Sequence, residues 1–256
     1  MKVVILAGGF GTRISEETRI KPKPMVEIGD MPILWHIMKI YSHYGYNDFV
    51  ICLGYKGDHI REWFNNYFLN NSDVTFDLEN NKKLFHNARS EKWKVTLADT
   101  GNGTLTGGRL KRIKDYIGNE TFMLTYGDGV SDIDIKKLVD FHKKSGKLAT
   151  VTSVIPEGRF GSILMDGDHN VTAFIEKKDN KNRVSAGFFV LESEVFDYLE
   201  GDHTTFEKEP LEKLTDENNL KAYHHDGFWK AMDTLHDKSK LEEMWNSGKA
   251  PWKIWN

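Results

Sequence analysis

Short apolar runs alternate with amphipathic stretches along the first half of the chain. Val3–Leu6, Phe49–Leu53, Val95–Ala98, Phe122–Thr125 and Ala149–Val154 are strand-length runs of the kind buried on both faces of a sheet. Between them, Ile33, Ile37, Ile40 and Tyr41 recur at helical spacing, with Pro32 suited to the first turn. Asp58 to Phe68 places Ile60, Phe64, Tyr67 and Phe68 on one stripe, and Thr106 to Tyr116 and Asp134 to Lys143 also read as helices. Strands alternating with helices predict an α/β fold, a mostly parallel or mixed sheet with helices on both faces. Residues 70–93 interrupt the pattern. They are polar around Asn80-Asn81-Lys82-Lys83 and read as an inserted hairpin or mobile loop. Beyond Ile155 the chain becomes more β-like, at Ile163–Met165, Val171–Ile175 and Gly187–Leu191, and helices return at Ser193–Leu199, Pro210–Leu214 and Thr234–Trp245.

Composition narrows the class. The 256 residues suffice for one large α/β domain, and 39% hydrophobic with 29% charged residues is an ordinary globular balance. A net charge of −3 gives no sign of a nucleic-acid surface. No apolar stretch is long enough for a transmembrane helix, and the first residues read as a strand and a functional loop rather than a signal peptide. The single cysteine, Cys52, excludes an internal disulfide framework and suits a reducing cytoplasm. Its place in an apolar run predicts a buried structural thiol.

The chemistry begins where the first strand opens into Ala7-Gly8-Gly9-Phe10-Gly11-Thr12-Arg13. Glycines let backbone N–H groups approach phosphate oxygens, and an arginine adds a charged planar fork. The run is neither a dinucleotide fingerprint nor a Walker loop, and three glycines can also serve a plain tight turn. Lys23, held between Pro22 and Pro24, is a second placed cation that a turn does not need. Asp128 follows an apolar strand and lies between Gly127 and Gly129, at the end of the sheet where α/β proteins bind ligands. It reads equally as a turn aspartate. Asp233 precedes a helix, and alone it reads as an N-cap.

Residues 2–23, with Lys21–Val26, Pro32–Met38, Gly54–Gly57, Thr106–Arg112, Thr125–Val130, Gly158–Gly161 and Met232–Thr234, resemble the signature of the nucleotide-sugar pyrophosphorylases, and within them the cytidylyltransferase branch that acts on glucose 1-phosphate. Even the tail, Gly248 to Lys253, is similar, so the resemblance covers nearly the whole chain. It implies a Rossmann-like nucleotidyltransferase fold of the glycosyltransferase-A type with a small β-rich acceptor-binding part. One domain over 1–256 would divide into a nucleotide-binding half, 1–150, and an acceptor-binding half with a helical tail, 151–256. It also implies transfer of CMP from CTP to a phosphorylated acceptor by in-line attack on the α-phosphorus, with release of pyrophosphate. Arg13 and Lys23 would act on the reacting phosphates. Leu6, Ala7, Gly8, Gly9, Gly11, Thr12 and Gly127 would line the nucleotide, with Thr106, Gly107, Gly108 and Arg109 at the base and triphosphate. Asp128 and Asp233 would hold Mg²⁺. Glu176, Lys177, Lys178, Ser185, Gly187 and Lys230 would meet the acceptor. Thr106–Arg109 can also be a turn before a helix, and Glu176-Lys177 a solvated pair.

The departures from that family cluster on the acceptor side. Ser185-Ala186-Gly187-Phe188 replaces Asn-Gly-Gly-Phe, Lys178 stands where the family has proline, and Lys230-Ala231 replaces Gln-Pro. Two added lysines favour an acceptor with a free carboxylate over a neutral hexose. The expected acceptor is therefore L-glutamine phosphate, as in the phosphoglutamine cytidylyltransferases, with glucose 1-phosphate as the alternative. A nucleotide-binding regulator without turnover is opposed by the intact Arg13, Lys23, Asp128 and Asp233. A glycosyltransferase would use an Asp-x-Asp motif, but Asp132-Ile133-Asp134 reads as helix capping. The partners expected are CTP and a small phosphorylated acceptor, with no nucleic acid and no membrane. A homo-oligomer is also implied by resemblance, and Trp245, Trp252 and Trp255 would cover either a core or a subunit contact.

Overall fold

The computed structural model describes residues 1–87, 90–157, 162–167, 170–175 and 182–255. Its centre is a seven-stranded sheet built from Val3–Leu6 (β1), Asp48–Leu53 (β2), Lys94–Asp99 (β3), Phe122–Tyr126 (β4), Ala149–Val154 (β5), Val184–Leu191 (β6) and Leu220–His224 (β7). The strand order is β7-β5-β6-β4-β1-β2-β3. β6 alone runs against its two neighbours, β4 and β5, so the sheet is mixed and mostly parallel, as expected.

The apolar runs form inner strands because both of their faces are covered. Val3, Ile5, Phe49, Ile51 and Leu53 enter one core, while Val4, Leu6, Val50 and Cys52 enter the other. This is the alternation a pleated strand imposes. The helix Ile33–His43 (α1) packs on the first face through Ile33, Ile37, Ile40 and Tyr41. The helix Thr106–Arg112 (α2) contributes Leu110 to the second. Burial pushes the Cys52 thiol up to about 12, so it stays protonated and serves as core.

Several boundaries differ from the pattern-based reading. Pro32 precedes α1 and belongs to a two-residue strand paired with Glu27–Ile28. The stretch 58–68 forms two helices, Gly57–Asn65 and Tyr67–Asn70, and 106–116 divides into α2 and Lys114–Ile117. In both, the residue between the two helices, Asn66 or Ile113, has φ near −100° and ψ near 6°, away from helical ψ. The polar interruption contains a hairpin, Asp73–Asp77 paired with Lys82–His86. β7 escaped notice because it is an edge strand with Lys221, Ala222 and His224 exposed, and it lacks an apolar run.

The aromatic tail closes over α1. Trp252 is fully buried, stacks on Phe228 at 5.6 Å, and donates its indole N–H to His36 Nδ1 at 3.3 Å. His36 Nε2 lies 3.0 Å from the Ile28 carbonyl. One neutral tautomer satisfies both bonds, and burial holds the His36 pKa down to about 4. The tryptophans are thus spent on the chain's own core.

Candidate active site

β1 ends beside β4, with Leu6 opposite Tyr126, so the two loops that leave these strands open at the same sheet edge. The glycine loop is pinned from its own backbone: Ala7 N–H donates to the Cys52 carbonyl at 3.1 Å, and Tyr55 N–H to Gly8 at 3.3 Å. Gly11 has φ +63°, and a Cβ there would lie 2.6 Å from the Thr18 methyl, so both conformation and space call for glycine. Thr18 Oγ1 donates back to the Gly11 carbonyl at 3.0 Å. Lys56 reaches from the next crossover, its ammonium donating to the Thr18 carbonyl at 2.9 Å and to that of Arg19. The loop faces a cavity of about 330 Å³ that also takes in Lys23, Thr106, Gly127 and Asp128.

Arg109 is behind the loop, 4% exposed. Its guanidinium donates to the carbonyls of Leu53 (2.9 Å), Gly101 (2.8 Å) and Gly8 (3.0 Å) and to Thr100 Oγ1 (2.8 Å). A Cβ on Gly8 would meet this guanidinium at 2.2 Å, and one on Gly54 at 2.5 Å. The arginine expected at the triphosphate is therefore a brace, bordering the cavity while spending its donors on backbone. The two glycines beside it are similarly occupied. Cβ atoms on Gly107 and Gly108 would strike Thr204 at 2.7 Å and Asp202 at 2.6 Å, so they admit a neighbouring loop rather than a flat base. The cavity rim there includes Asn102 to Leu105, which sequence reasoning passed over for want of any charged or motif residue.

The two aspartates converge. Asp128 follows β4. Asp233 follows the strand Trp229–Ala231, which pairs antiparallel with Gly129–Ser131, and Met232 N–H donates to the Asp128 carbonyl at 2.9 Å. The Lys23 ammonium lies 2.6 Å from Asp128 Oδ2 and 2.7 Å from Asp233 Oδ1, and Arg13 lies 2.8 Å from Asp233 Oδ2. Lys23 sits in a single 3₁₀ turn between its prolines and is nearly buried, whereas the Arg13 side chain is 71% exposed at the mouth. Asp233 does not cap the helix Leu235–Asn246 (α3). Thr234 takes that role in a capping box with Asp237, which frees the preceding carboxylate for the cluster. Asp134 caps the helix Ile135–Ser145, and Asp132 lies 2.9 Å from His225, so the Asp-x-Asp run takes no part in the site.

The cluster suits a divalent cation. Two carboxylate oxygens already meet on one ammonium, and no third acidic, His or Cys ligand joins them among the described residues. A hard cation completed by phosphate oxygens and water, as Mg²⁺ commonly is, needs no more from the protein.

A second cavity, of about 360 Å³, adjoins the first and shares Arg13, Tyr126 and Asp128 with it. Ser185, Gly187, Trp229 and Glu207 form its far side. Gly187 has φ +78°, and a Cβ there would lie 2.4 Å from the Tyr126 ring, so this glycine keeps the phenol in place. Lys230 does not line the cavity. Trp229 and Ala231 face it, and strand alternation turns the residue between them away. Lys230 Nζ lies 3.2 Å from Asp237 and 3.8 Å from Glu157. The Lys230 charge, expected at the acceptor, is neutralised elsewhere. Glu176, Lys177 and Lys178 lie outside the described residues, as does the Gly158–Gly161 motif. Glu207 was missed because no local motif marks it.

A glycine loop and a carboxylate at the carboxyl ends of two adjacent parallel strands, with two cations and a second carboxylate converging on them, define an enzyme of nucleotidyl transfer. Comparison with known proteins agrees: the nucleotidyl transferase family matches residues 2–244, and the chain belongs to that family. It is 55% identical over 257 residues to the glucose-1-phosphate cytidylyltransferase of Salmonella typhi, covering 100% of both chains. Among solved structures it is similar to UDP-glucose pyrophosphorylase complexed with UDP-glucose, at TM-score 0.70 and 17% identity over 96% of this chain and 98% of the other. HddC from Yersinia pseudotuberculosis aligns at TM-score 0.69 and 24% identity over 95% and 99%. These two establish the fold. No helix among the described residues is long and apolar enough to cross a membrane.

Proposed function

We propose that this chain transfers CMP from CTP to glucose 1-phosphate, releasing pyrophosphate and forming CDP-glucose. The observation that carries the reading is the cluster of Arg13, Lys23, Asp128 and Asp233 at the seam of two adjoining cavities, one walled by the glycine loop and one not. A triphosphate in the first cavity puts its α-phosphorus at the seam, where a phosphate in the second can reach it. An acceptor phosphate oxygen forms the new bond to the α-phosphorus. The bond from that phosphorus to the bridging oxygen breaks, and pyrophosphate leaves with the electron pair. The protein contributes position and charge: loop N–H groups and Arg13 at the leaving phosphates, Lys23 at the reacting ones. Bound by Asp128 and Asp233, a divalent ion such as Mg²⁺ would neutralise further phosphate charge. Arg109 contributes by holding the loop's shape.

CTP and glucose 1-phosphate as substrates are supported by the name of the 55% identical relative, which this chain matches end to end. The acceptor cavity agrees with it. Lys230, one of the two lysines that favoured a carboxylate-bearing acceptor, is paired with Asp237 and turned away, while Trp229 and Glu207 suit a neutral ring bearing hydroxyls. A pyrophosphate-release assay with CTP and Mg²⁺ tests both substrates. Glucose 1-phosphate should exceed L-glutamine phosphate in kcat/KM by about tenfold or more, the margin a mispaired polar group produces. Release with L-glutamine phosphate alone would restore the other acceptor, and release with neither would end the reading.

The reading extends to a cytoplasmic location, supported by the single, free Cys52, and to a homo-oligomer. Its support is the hairpin, which leaves Phe76, Leu84 and Phe85 exposed although a two-stranded hairpin is marginal alone. Light scattering of the purified chain tests this, and a monomer at all concentrations would remove it.

A further inference from the structure

Glu207 lines the second cavity, and its backbone is fixed. The adjacent Phe206 is fully buried, 5.6 Å from Phe189, and its N–H donates to Thr106 Oγ1 at 2.9 Å. The carboxylate itself is exposed toward the second cavity. Thr106 Oγ1 donates to Glu207 Oε2 at 2.6 Å, and the Tyr126 hydroxyl donates to Oε1. An ionised carboxylate has about four lone-pair sites. Two hydroxyls therefore orient this one and leave it with unspent capacity. Trp229 lines the same cavity, its indole N–H committed to the Ala186 carbonyl at 2.8 Å, which fixes the ring.

We propose that Glu207 is the specificity residue of the acceptor site: its oriented carboxylate accepts hydrogen bonds from the hydroxyls of a neutral sugar ring and, by its charge, disfavours an acceptor that carries a carboxylate near the same place. The assignment rests on the second cavity being the acceptor site of the proposed reaction. Sugar hydroxyls are donors, and a carboxylate is purely an acceptor, so the chemistries match without a change of protonation. A carboxylate substituent would meet Glu207 as a like charge in a partly desolvated cleft.

The test uses wild-type chain, Glu207→Gln and Glu207→Asp, with glucose 1-phosphate and glucuronic acid 1-phosphate as acceptors. In Glu207→Gln the KM for glucose 1-phosphate should rise about tenfold or more, the loss expected for a charge-assisted hydrogen bond. The KM for CTP should stay within about twofold. The preference for glucose over glucuronic acid 1-phosphate should shrink by about tenfold, because the repelling charge is gone. Glu207→Asp keeps the charge on a shorter arm. It should weaken glucose 1-phosphate while preserving the discrimination and keeping the KM for CTP within about twofold, so the contrast between acceptor and CTP is still read if the glutamine variant melts early. A purely structural strut would instead raise both KM values together and leave the preference unchanged, and that result overturns the assignment. If wild-type protein turns over glucose 1-phosphate and neither variant alters acceptor KM or preference, only the role of Glu207 falls. If wild-type protein uses neither sugar phosphate, the proposed function fails, and this assignment with it.

Discussion

The wall of the nucleotide cavity and the wall of the acceptor cavity are built differently. The first is backbone. Its glycines are held from behind by a buried Arg109 that bonds three carbonyls and a hydroxyl, and by Lys56 on the carbonyls of Thr18 and Arg19. The second is made of side chains, Tyr126, Glu207 and Trp229, each aimed by a partner from another part of the chain. A backbone wall fits whatever phosphate is common to all substrates of a class, because N–H groups do not vary with residue type. A side-chain wall can be altered one residue at a time, so substrate choice belongs there.

The largest expected effect is at the seam, where the two walls share Asp128. Asp128→Asn keeps the shape and removes the charge, and the turnover rate should fall about a thousandfold, the scale for losing a charged group that stabilises the transition state. Thermal unfolding should change by only a few degrees. Near-normal turnover would separate the carboxylate from catalysis.

The two arginines of the nucleotide wall give the next contrast. Arg109→Met removes the guanidinium's bonds to Gly101, Thr100, Leu53 and Gly8, while Leu53 keeps the Thr100 N–H and hydroxyl and Gly8 keeps the Tyr55 N–H. Stability should drop by about 2–3 kcal/mol, or roughly 5–10 °C in melting temperature for a chain of this size. Arg13→Met, at a side chain 71% exposed, should leave melting within about a degree or two and lower activity instead. If calorimetry finds the two variants equally stable, Arg109 is no brace.

The same contrast explains how much could be read from the sequence. The sheet and the glycine loop were legible because apolar runs and glycines report directly on burial and backbone, whereas Asp128 read equally as a turn residue. Asp233 was ambiguous, since an aspartate before a helix usually caps it, and only the structure shows Thr234 doing so. Arg109 was misplaced because its partners are carbonyls from three separate segments, which leave no trace in residue type. Lys230 was misplaced because a three-residue strand has too few positions to reveal its alternation before its partner, Gly129–Ser131, is known. Glu207 gave no signal, as its meaning comes entirely from Thr106 and Tyr126.

Where the chain's last residues fold back over its first half, pH provides a smaller effect. His36 accepts from Trp252 only as a neutral ring. It takes a proton near pH 4 when folded, against 6.5 for the ordinary residue. Across that window the unfolded chain binds more protons, so stability is full above about 6.5, falls on acidification, and has lost its His36 contribution near 4. The loss is about 3 kcal/mol at roughly 1.4 kcal/mol per unit. Denaturant melts of wild type and His36→Gln between pH 7 and 4 should show the steeper decline in wild type. Parallel curves would mean that the tail is held by its apolar contacts alone.

The smallest effect expected in the acceptor half is the one residue type alone would rank highest. Lys230→Met removes the ammonium 3.2 Å from Asp237. Asp237 keeps the Thr234 N–H and hydroxyl, at 3.0 and 2.8 Å, so its charge is not stranded and the cost should be about 1 kcal/mol. The KM for glucose 1-phosphate should move less than about twofold, and no preference between neutral and carboxylate-bearing acceptors should appear or vanish. A large rise in acceptor KM would mean that Lys230 leaves Asp237 when substrate binds. The acceptor wall would then contain a mobile cation, the division between a rigid nucleotide wall and an oriented acceptor wall would fail on the acceptor side, and a carboxylate-bearing acceptor would again be the better fit.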